Sequence, residues 1–177
     1  MTTLETERMT LRPFTIDDVD DVLRLFSDPV AMQFSLTGVR DRVATAAWLE
    51  LVIDRTQRDG HGFWAAILKE TGAYVGHAGL LRQQVEGRDE VEIAYWFLRS
   101  HWNRGLATEA ARACRNYGFG KLNRERLISL IVPGNVASRR VADKVGMNLE
   151  REAVWKNTLV CVYAMNREIR ARTRSAR

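Results

Sequence analysis

The stretch His101-Trp102-Asn103-Arg104-Gly105-Leu106-Ala107-Thr108-Glu109-Ala110 decides how the rest of the chain is read. Before it lies EVEIAYWFL, Glu90 to Leu98, where Val91, Ile93, Tyr95 and Phe97 alternate with Glu92, Ala94, Trp96 and Leu98. That period of two is a strand, with the two sets on opposite faces and Glu92 a lone carboxylate on an apolar one. After it, from Ala107 to about Gly118, Ala110, Ala111 and Cys114 recur on one helical stripe. A strand therefore ends, a short loop crosses, and a helix begins. The first amides of a helix have no internal partner and carry the positive end of its dipole, so such a junction suits an anion. Gly105 lets the backbone approach a ligand, and the small Ala107 keeps the next turn open. On this stretch alone, a plain tight turn explains Gly105 equally well.

Outward from that junction the periodicity fills in the remaining elements. Thr10-Leu11-Arg12-Pro13-Phe14 reads as a short strand stopped by proline. Thr15 and Asp18 resemble a capping box before Val19, Val22, Leu23 and Phe26 at helical spacing. A second helix is expected from Arg42 to Asp59, closed by Gly60. Phe63–Leu68 and Tyr74–Leu80 form a hairpin about Lys69-Glu70-Thr71-Gly72, and a turn at Glu86-Gly87-Arg88-Asp89 leads into the strand of Glu92. RLISLIV reads as a buried parallel strand ended by Pro133-Gly134; Asn135 caps a helix from Val136 to Val145, with Gly146 at its left-handed end. Two strands, near Leu149–Ala153 and Leu159–Met165, complete an order β-α-α-β-β-β-α-β-α-β-β. The class is α+β, a mixed sheet with helices on both faces.

The chain has 177 residues, 46% hydrophobic and 28% charged, with no repeat or low-complexity segment, so one domain over 1–177 is expected, with a core of about 4–168 and a basic tail 169–177. Its net charge of +5 favours acidic partners such as a nucleotide-like cofactor, but much of the excess lies in Arg167, Arg170, Arg172, Arg174 and Arg177, so nucleic acid is not the expected main partner. The N-terminal residues lack the apolar run of a secretory signal, and no stretch approaches the ~20 apolar residues of a membrane span. Cys114 and Cys161 lack CxxC spacing and read as buried free thiols, which agrees with a cytoplasmic location.

Two phosphate loops are excluded by what the sequence lacks. There is neither a GxxxxGK[ST] nor a GxGxxG after a first strand. Nor is there a credible Cys-His or Ser-His-Asp set: His61, His77 and His101 are scattered over different elements, and His77 reads as a core or hairpin residue rather than a catalytic one.

Taken with Asn135, Ser138, Val141, Lys144, Gly146 and Met147 in the pattern N-x-x-S-x-x-V-x-x-K-x-G-M, the junction resembles the GNAT superfamily of acyl-CoA N-acyltransferases. That family's pyrophosphate loop has the form Q/R-x-x-G-x-G/A, and Gly105 and Ala107 match its last two positions. Trp102 replaces the Gln or Arg, a departure resembling the branch of the ribosomal-protein alanine N-acetyltransferases. LETERMTLRPF, FSDPVAM and the G-x-x-x-G-H-A-G-L hairpin resemble the same branch, so the likeness runs from about Leu4 to Glu168.

The resemblance implies a splayed sheet, with the strands of Glu92 and Ile131 parting around the pantetheine of acetyl-CoA. Phe97, Leu98 and Arg99 would offer that arm backbone groups, and Asn103, Arg104, Gly105, Leu106, Ala107 and Thr108 would hold the pyrophosphate. It implies acetyl-CoA as co-substrate, no metal, and direct attack by an amine, which needs no covalent nucleophile. Glu92 is then the candidate base through a water, its alternative being a salt bridge. Asn135 is a helix cap that in relatives also bonds the cofactor. Many relatives carry a thiolate-protonating Tyr where this chain has Ala142, so Ser138 is the candidate to serve the sulfur, against a plain place in the cap. Phe34, Ser35, Trp155, Lys156 and Asn157 fall in segments that wall the acceptor in relatives, and Trp96 shares the face of Glu92. The acceptor implied first is the N-terminal α-amine of a ribosomal or other protein, with a small amine as the alternative, and the protein is expected to be a monomer or homodimer. A non-catalytic acyl-CoA-binding module is the rival, favoured by the Ala142 departure.

Overall fold

The computed structural model describes residues 2–167; the basic tail 169–177 lies outside the described residues. Eight strands form one mixed sheet in the order β1-β2-β3-β4-β5-β6-β8-β7. They are β1 (Leu4–Glu5), β2 (Met9–Pro13), β3 (Phe63–Leu68), β4 (Tyr74–Val85), β5 (Arg88–Phe97), β6 (Arg126–Ile131), β7 (Asn148–Trp155) and β8 (Thr158–Asn166). The helices are α1 (Val19–Phe26), α2 (Arg42–Asp59), α3 (Leu106–Gly120) and α4 (Val136–Val145).

The alternation of β5 sorts the two layers. Val91, Ile93 and Phe97 pack with Leu106, Ala110, Ala111 and Cys114 of α3 and with Ala142 and Val145 of α4. Ala94 and Leu98 pack on the other face with Val22, Leu25 and Phe26 of α1 and Leu49 and Val52 of α2. Local chemistry sets the helix ends: Asp18 accepts the Thr15 N–H at 2.8 Å ahead of α1, Asp41 accepts the Ala44 N–H at 2.8 Å to start α2, and Gly60 ends it at φ 72°. Cys114 and Cys161 are buried free thiols.

Three departures from the sequence expectation have simple causes. Strand β1 was not foreseen; it is two residues long, too short to show a period, and exists by pairing Leu4 with Leu11 and Glu5 with Thr10. Helix α3 runs one residue earlier and two later than the periodicity suggests, as helix ends commonly do. Strand β4 carries an irregularity at Gly76, opposite the register shift at Ala66/Ile67. A Cβ on Gly76 would stand 2.3 Å from the Trp96 carbonyl oxygen, so only glycine admits this approach of β5. The kink brings Tyr74 and His77, three residues apart, onto the same face.

The seam between β5 and β6 positions the site. These strands run parallel yet pair only at Glu92 and Ile128, with Ser129 Oγ donating to the Ile93 carbonyl at 2.8 Å just above. Beyond that point they part. Below it, Arg126 of β6 bridges Glu90 at 3.2 Å and Glu150 at 2.7 Å, closing the bottom of the seam.

Candidate active site

The widening seam opens into a cavity of about 1170 Å³ that runs from the start of α3 to the loop between α1 and α2. Its floor is β5. After β5, Leu98 donates its N–H to the Val75 carbonyl at 2.9 Å and accepts the His101 N–H at 2.9 Å, while the Arg99 carbonyl accepts the Trp102 N–H at 3.1 Å. The backbone groups of Leu98 are therefore committed inside the chain. Trp102 donates its indole N–H to the Phe97 carbonyl at 2.8 Å, which pulls the loop back onto the strand end.

Asn103 and Gly105 both adopt left-handed backbone, at φ 59° and 78°. For Gly105 this conformation, rather than crowding, is the constraint: the nearest atom to an added Cβ is Arg8 Nη2 at 3.5 Å. The first amide bonded inside α3 is that of Glu109, to the Gly105 carbonyl at 3.0 Å. The amides of Leu106, Ala107 and Thr108 precede it and lack intrahelical acceptors, and all three residues line the cavity with Asn103 and Gly105. Arg104 lies off the lining, and its carbonyl accepts Arg8 Nη1 at 2.8 Å.

Sequence reasoning missed Arg8. Its backbone N–H and Nε donate to Glu109 at 2.8 and 2.7 Å, and its guanidinium closes the ion pair at 2.6 Å. Burial pushes the Glu109 carboxyl up, but hydrogen bonds from Thr6 and Arg8 hold it below the usual carboxylate range. A negative group one turn into the helix that carries the free amides is thereby neutralised. The partners are 101 positions apart, and nothing local in the sequence signals them.

At the other wall, Asn135 accepts the Ser138 N–H at 3.1 Å as cap of α4, and both residues line the cavity. Ala142 is buried against the α3 face of the sheet. Tyr95, also missed, reaches across the seam from β5 and donates its hydroxyl to the Ser138 carbonyl at 3.1 Å. Burial raises its pKa, so the phenol keeps its proton.

Glu92 is buried, 7% exposed, on the β5 face opposite Tyr95. Burial pushes its carboxyl up to about 7, against the Gln83 amide, the Leu130 N–H and the charge of Lys156, which favour ionisation. Gln83 Nε2 stands 2.6 Å from Glu92 Oε2, and no cation reaches salt-bridge distance among the described residues. Phe34, Ser35, Trp96, Trp155 and Lys156 line the same cavity; Leu98, Arg99 and Asn157 lie off it. Phe34 meets the loop before α4, its ring 3.5 Å from where a Cβ on Gly134 would stand. Lys156 sits on Trp155, Nζ 4.3 Å from the ring centroid, at a turn where Lys156 and Asn157 take φ 48° and 60°. His77 is fully buried, which holds its pKa down to about 3. No group of three or more residues suited to a metal occurs among the described residues, and no described helix is long and apolar enough to cross a membrane.

Free helix amides, an open seam and a buried carboxyl poised near neutrality line one continuous cavity. Comparison with known proteins agrees. The profile described as "Acetyltransferase (GNAT) domain" matches residues 8–148. An uncharacterised protein of Bacillus subtilis (strain 168), YkkB, is 38% identical over 165 residues, covering 92% of this chain and 94% of the relative. The uncharacterised N-acetyltransferase p20 of Bacillus licheniformis is 31% identical over 85% of this chain and 84% of its own. Among solved structures, an acetyltransferase from Agrobacterium tumefaciens str. C58 superposes with a TM-score of 0.81 at 29% identity, over 94% and 95% of the two chains. RimL, a ribosomal L7/L12 alpha-N-protein acetyltransferase in complex with coenzyme A, shares the fold at TM-score 0.79 and 17% identity, over 93% and 98%. By site, sheet and likeness together, the chain belongs to the GNAT acetyltransferase family.

Proposed function

We propose that the protein transfers the acetyl group of acetyl-CoA to a primary amine by direct attack in a ternary complex. The observation that carries this is Glu92, a buried carboxyl pushed up to about 7 in the floor of a cavity that continues to the free amides of α3. The Leu106, Ala107 and Thr108 amides hold the pyrophosphate, and the edges of β5 and β6 above Ile93 flank the pantetheine. Glu92 takes a proton from the incoming ammonium through a water, leaving a lone pair on nitrogen. The nitrogen bonds to the thioester carbon, the C–S bond breaks, and the second proton that the nitrogen sheds passes through water to the thiolate, with the Ser138 hydroxyl at the α4 wall as a hydrogen-bond donor to the sulfur and Tyr95 holding the Ser138 carbonyl. Glu92 then gives its proton to bulk water.

The likeness to RimL supports the N-terminal α-amine of a protein as acceptor. A second reading, a small amine, is supported by the acceptor end itself, which aromatic side chains of α1, α2 and β3 wall. A thiol-release assay over amines and N-terminal peptides tests the activity. Release of CoA thiol dependent on an amine and lost in Glu92→Gln is expected; amine-independent or absent release sinks it.

A further inference from the structure

The acceptor end of the cavity holds two hydrogen-bond donors that point at no protein acceptor. Arg40 donates Nη2 to Thr37 Oγ1 at 2.9 Å and lays its guanidinium 4.6 Å from the Phe26 ring centroid and 5.7 Å from that of Trp48. Its buried Nη1 has no partner among the described residues, and no carboxylate pairs with it there. His77 packs on the same two rings, at 5.7 and 5.2 Å, and its buried Nε2 is likewise without a partner.

The hydrogen bond at His77 Nδ1, 2.8 Å from the Tyr74 hydroxyl, fixes what Nε2 is. If the hydroxyl donates, its proton is satisfied and only Nε2–H is left over. If Nδ1–H donated instead, both the Tyr74 proton and the Nε2 lone pair would be stranded in an apolar cluster, the costlier arrangement. Nε2 is therefore a neutral donor beside the cationic donor Arg40 Nη1. A half-buried guanidinium without a counter-charge, packed on the same rings as a second donor, with no acceptor at either free nitrogen, is the chemistry of an anion subsite. The planar fork of arginine suits a carboxylate.

Its place relative to Glu92 sets the size of the ligand. His77 pairs with Trp96 across the β4–β5 ladder, and Trp96 shares the strand face of Glu92 four residues on, about 13 Å between Cα atoms. His77 sits at the base of this end, wholly unexposed, with Trp48 and Phe63 packed against its ring. That suits a terminal carboxylate on a short stem more than a continuing polypeptide. We propose that the acceptor is a small amine bearing a carboxylate, an amino acid or close analogue, whose carboxylate is held by Arg40 Nη1 and His77 Nε2 while its amine faces Glu92. The proposal rests on the acetyl transfer proposed above, and on its small-amine reading.

Thiol release is measured at saturating acetyl-CoA with the α-amino acids, β-alanine and γ-aminobutyrate, each against its carboxamide. In parallel, the 15N resonances of the His77 ring are followed while the CoA-bound protein is titrated with the same compounds. Expected are at least a tenfold lower KM for an acid than for its amide, loss of that difference in Arg40→Met with the KM for acetyl-CoA unchanged, and partial return in Arg40→Lys. A His77 Nε2 shift with acids and not amides, without turnover, upholds the subsite while refuting transfer to these amines. Equal KM values for acid and amide overturn the proposal, as do turnover confined to N-terminal peptides and the absence of both discrimination and shift.

Discussion

Gln83, diagonal to Glu92 across the β4–β5 ladder, donates its amide N–H to Glu92 Oε2 at 2.6 Å and so favours the ionised carboxylate inside an apolar wall. The base works deprotonated, so kcat/KM rises with pH and levels off above about 7. Gln83→Leu removes a donor to the anion and moves that limb to higher pH. A pH–rate profile of the two proteins decides it; an unmoved limb removes Gln83 from the tuning of Glu92.

The same carboxyl lowers stability where it is active. Its folded pKa of about 7 lies above the ordinary 4.5, so the native state binds the extra proton between those values. Unfolding free energy therefore falls as pH rises from about 4.5 to about 7, and stays low above. Glu92→Gln lacks this loss, so at pH 8 it melts higher than the parent, by on the order of 3 kcal/mol at most, and at pH 4 the two converge. Thermal melts at both values check the sign, and a variant less stable at pH 8 contradicts it.

Arg8 cancels the charge of Glu109 at the mouth of the α3 site. Arg8→Ala weakens acetyl-CoA binding by roughly threefold to tenfold, and adding Glu109→Gln restores most of it. Gly105→Asp, with a side chain forced onto φ 78° and a negative charge set at the pyrophosphate, removes the rise in melting temperature that acetyl-CoA produces. Calorimetric titration of the four proteins is the measurement; a double variant as weak as Arg8→Ala refutes the charge account.

Ala142 packs in the layer beneath α4, 2% exposed, so a tyrosine there has no room. Ala142→Tyr destabilises the protein by about 1–3 kcal/mol and does not raise turnover. Tyr95→Phe or Ser138→Ala, in contrast, lowers kcat at nearly constant KM for acetyl-CoA, because in the proposed reaction Ser138 donates to the departing sulfur and Tyr95 holds the Ser138 carbonyl. Steady-state kinetics separate them: a gain in kcat with Tyr at 142 shows that the site lacks an acid after all.

The fold was legible because β5 alternates cleanly and because Asn135 and Gly146 bracket α4 with ordinary cap chemistry. The loop from His101 to Ala110 carried the family resemblance only together with the Asn135–Met147 pattern and the N-terminal and hairpin motifs. What was not legible depends on meetings across space. Arg8 meets Glu109 through the pairing of β1 and β2 beside α3, and Tyr95 meets Ser138 across a seam that periodicity does not show. His77 reads in sequence as a core histidine and is buried as one; its orphaned Nε2 emerges only because the kink at Gly76 turns it toward Tyr74 and the rings under Arg40. Trp102, set where a Gln or Arg was expected, ties the loop to the end of β5 through its indole N–H.

The single β5–β6 pair leaves the upper sheet divided into two wings, joined below by Arg126 between Glu90 and Glu150. A thioester arm lying in that gap becomes, in mechanical terms, the strand the sheet is missing. Amides of β5 and β6 that face this gap, as distinct from those bonded to β4 and β8, should accordingly exchange more slowly once the arm is in place, making the substrate a transient structural member of the fold that consumes it.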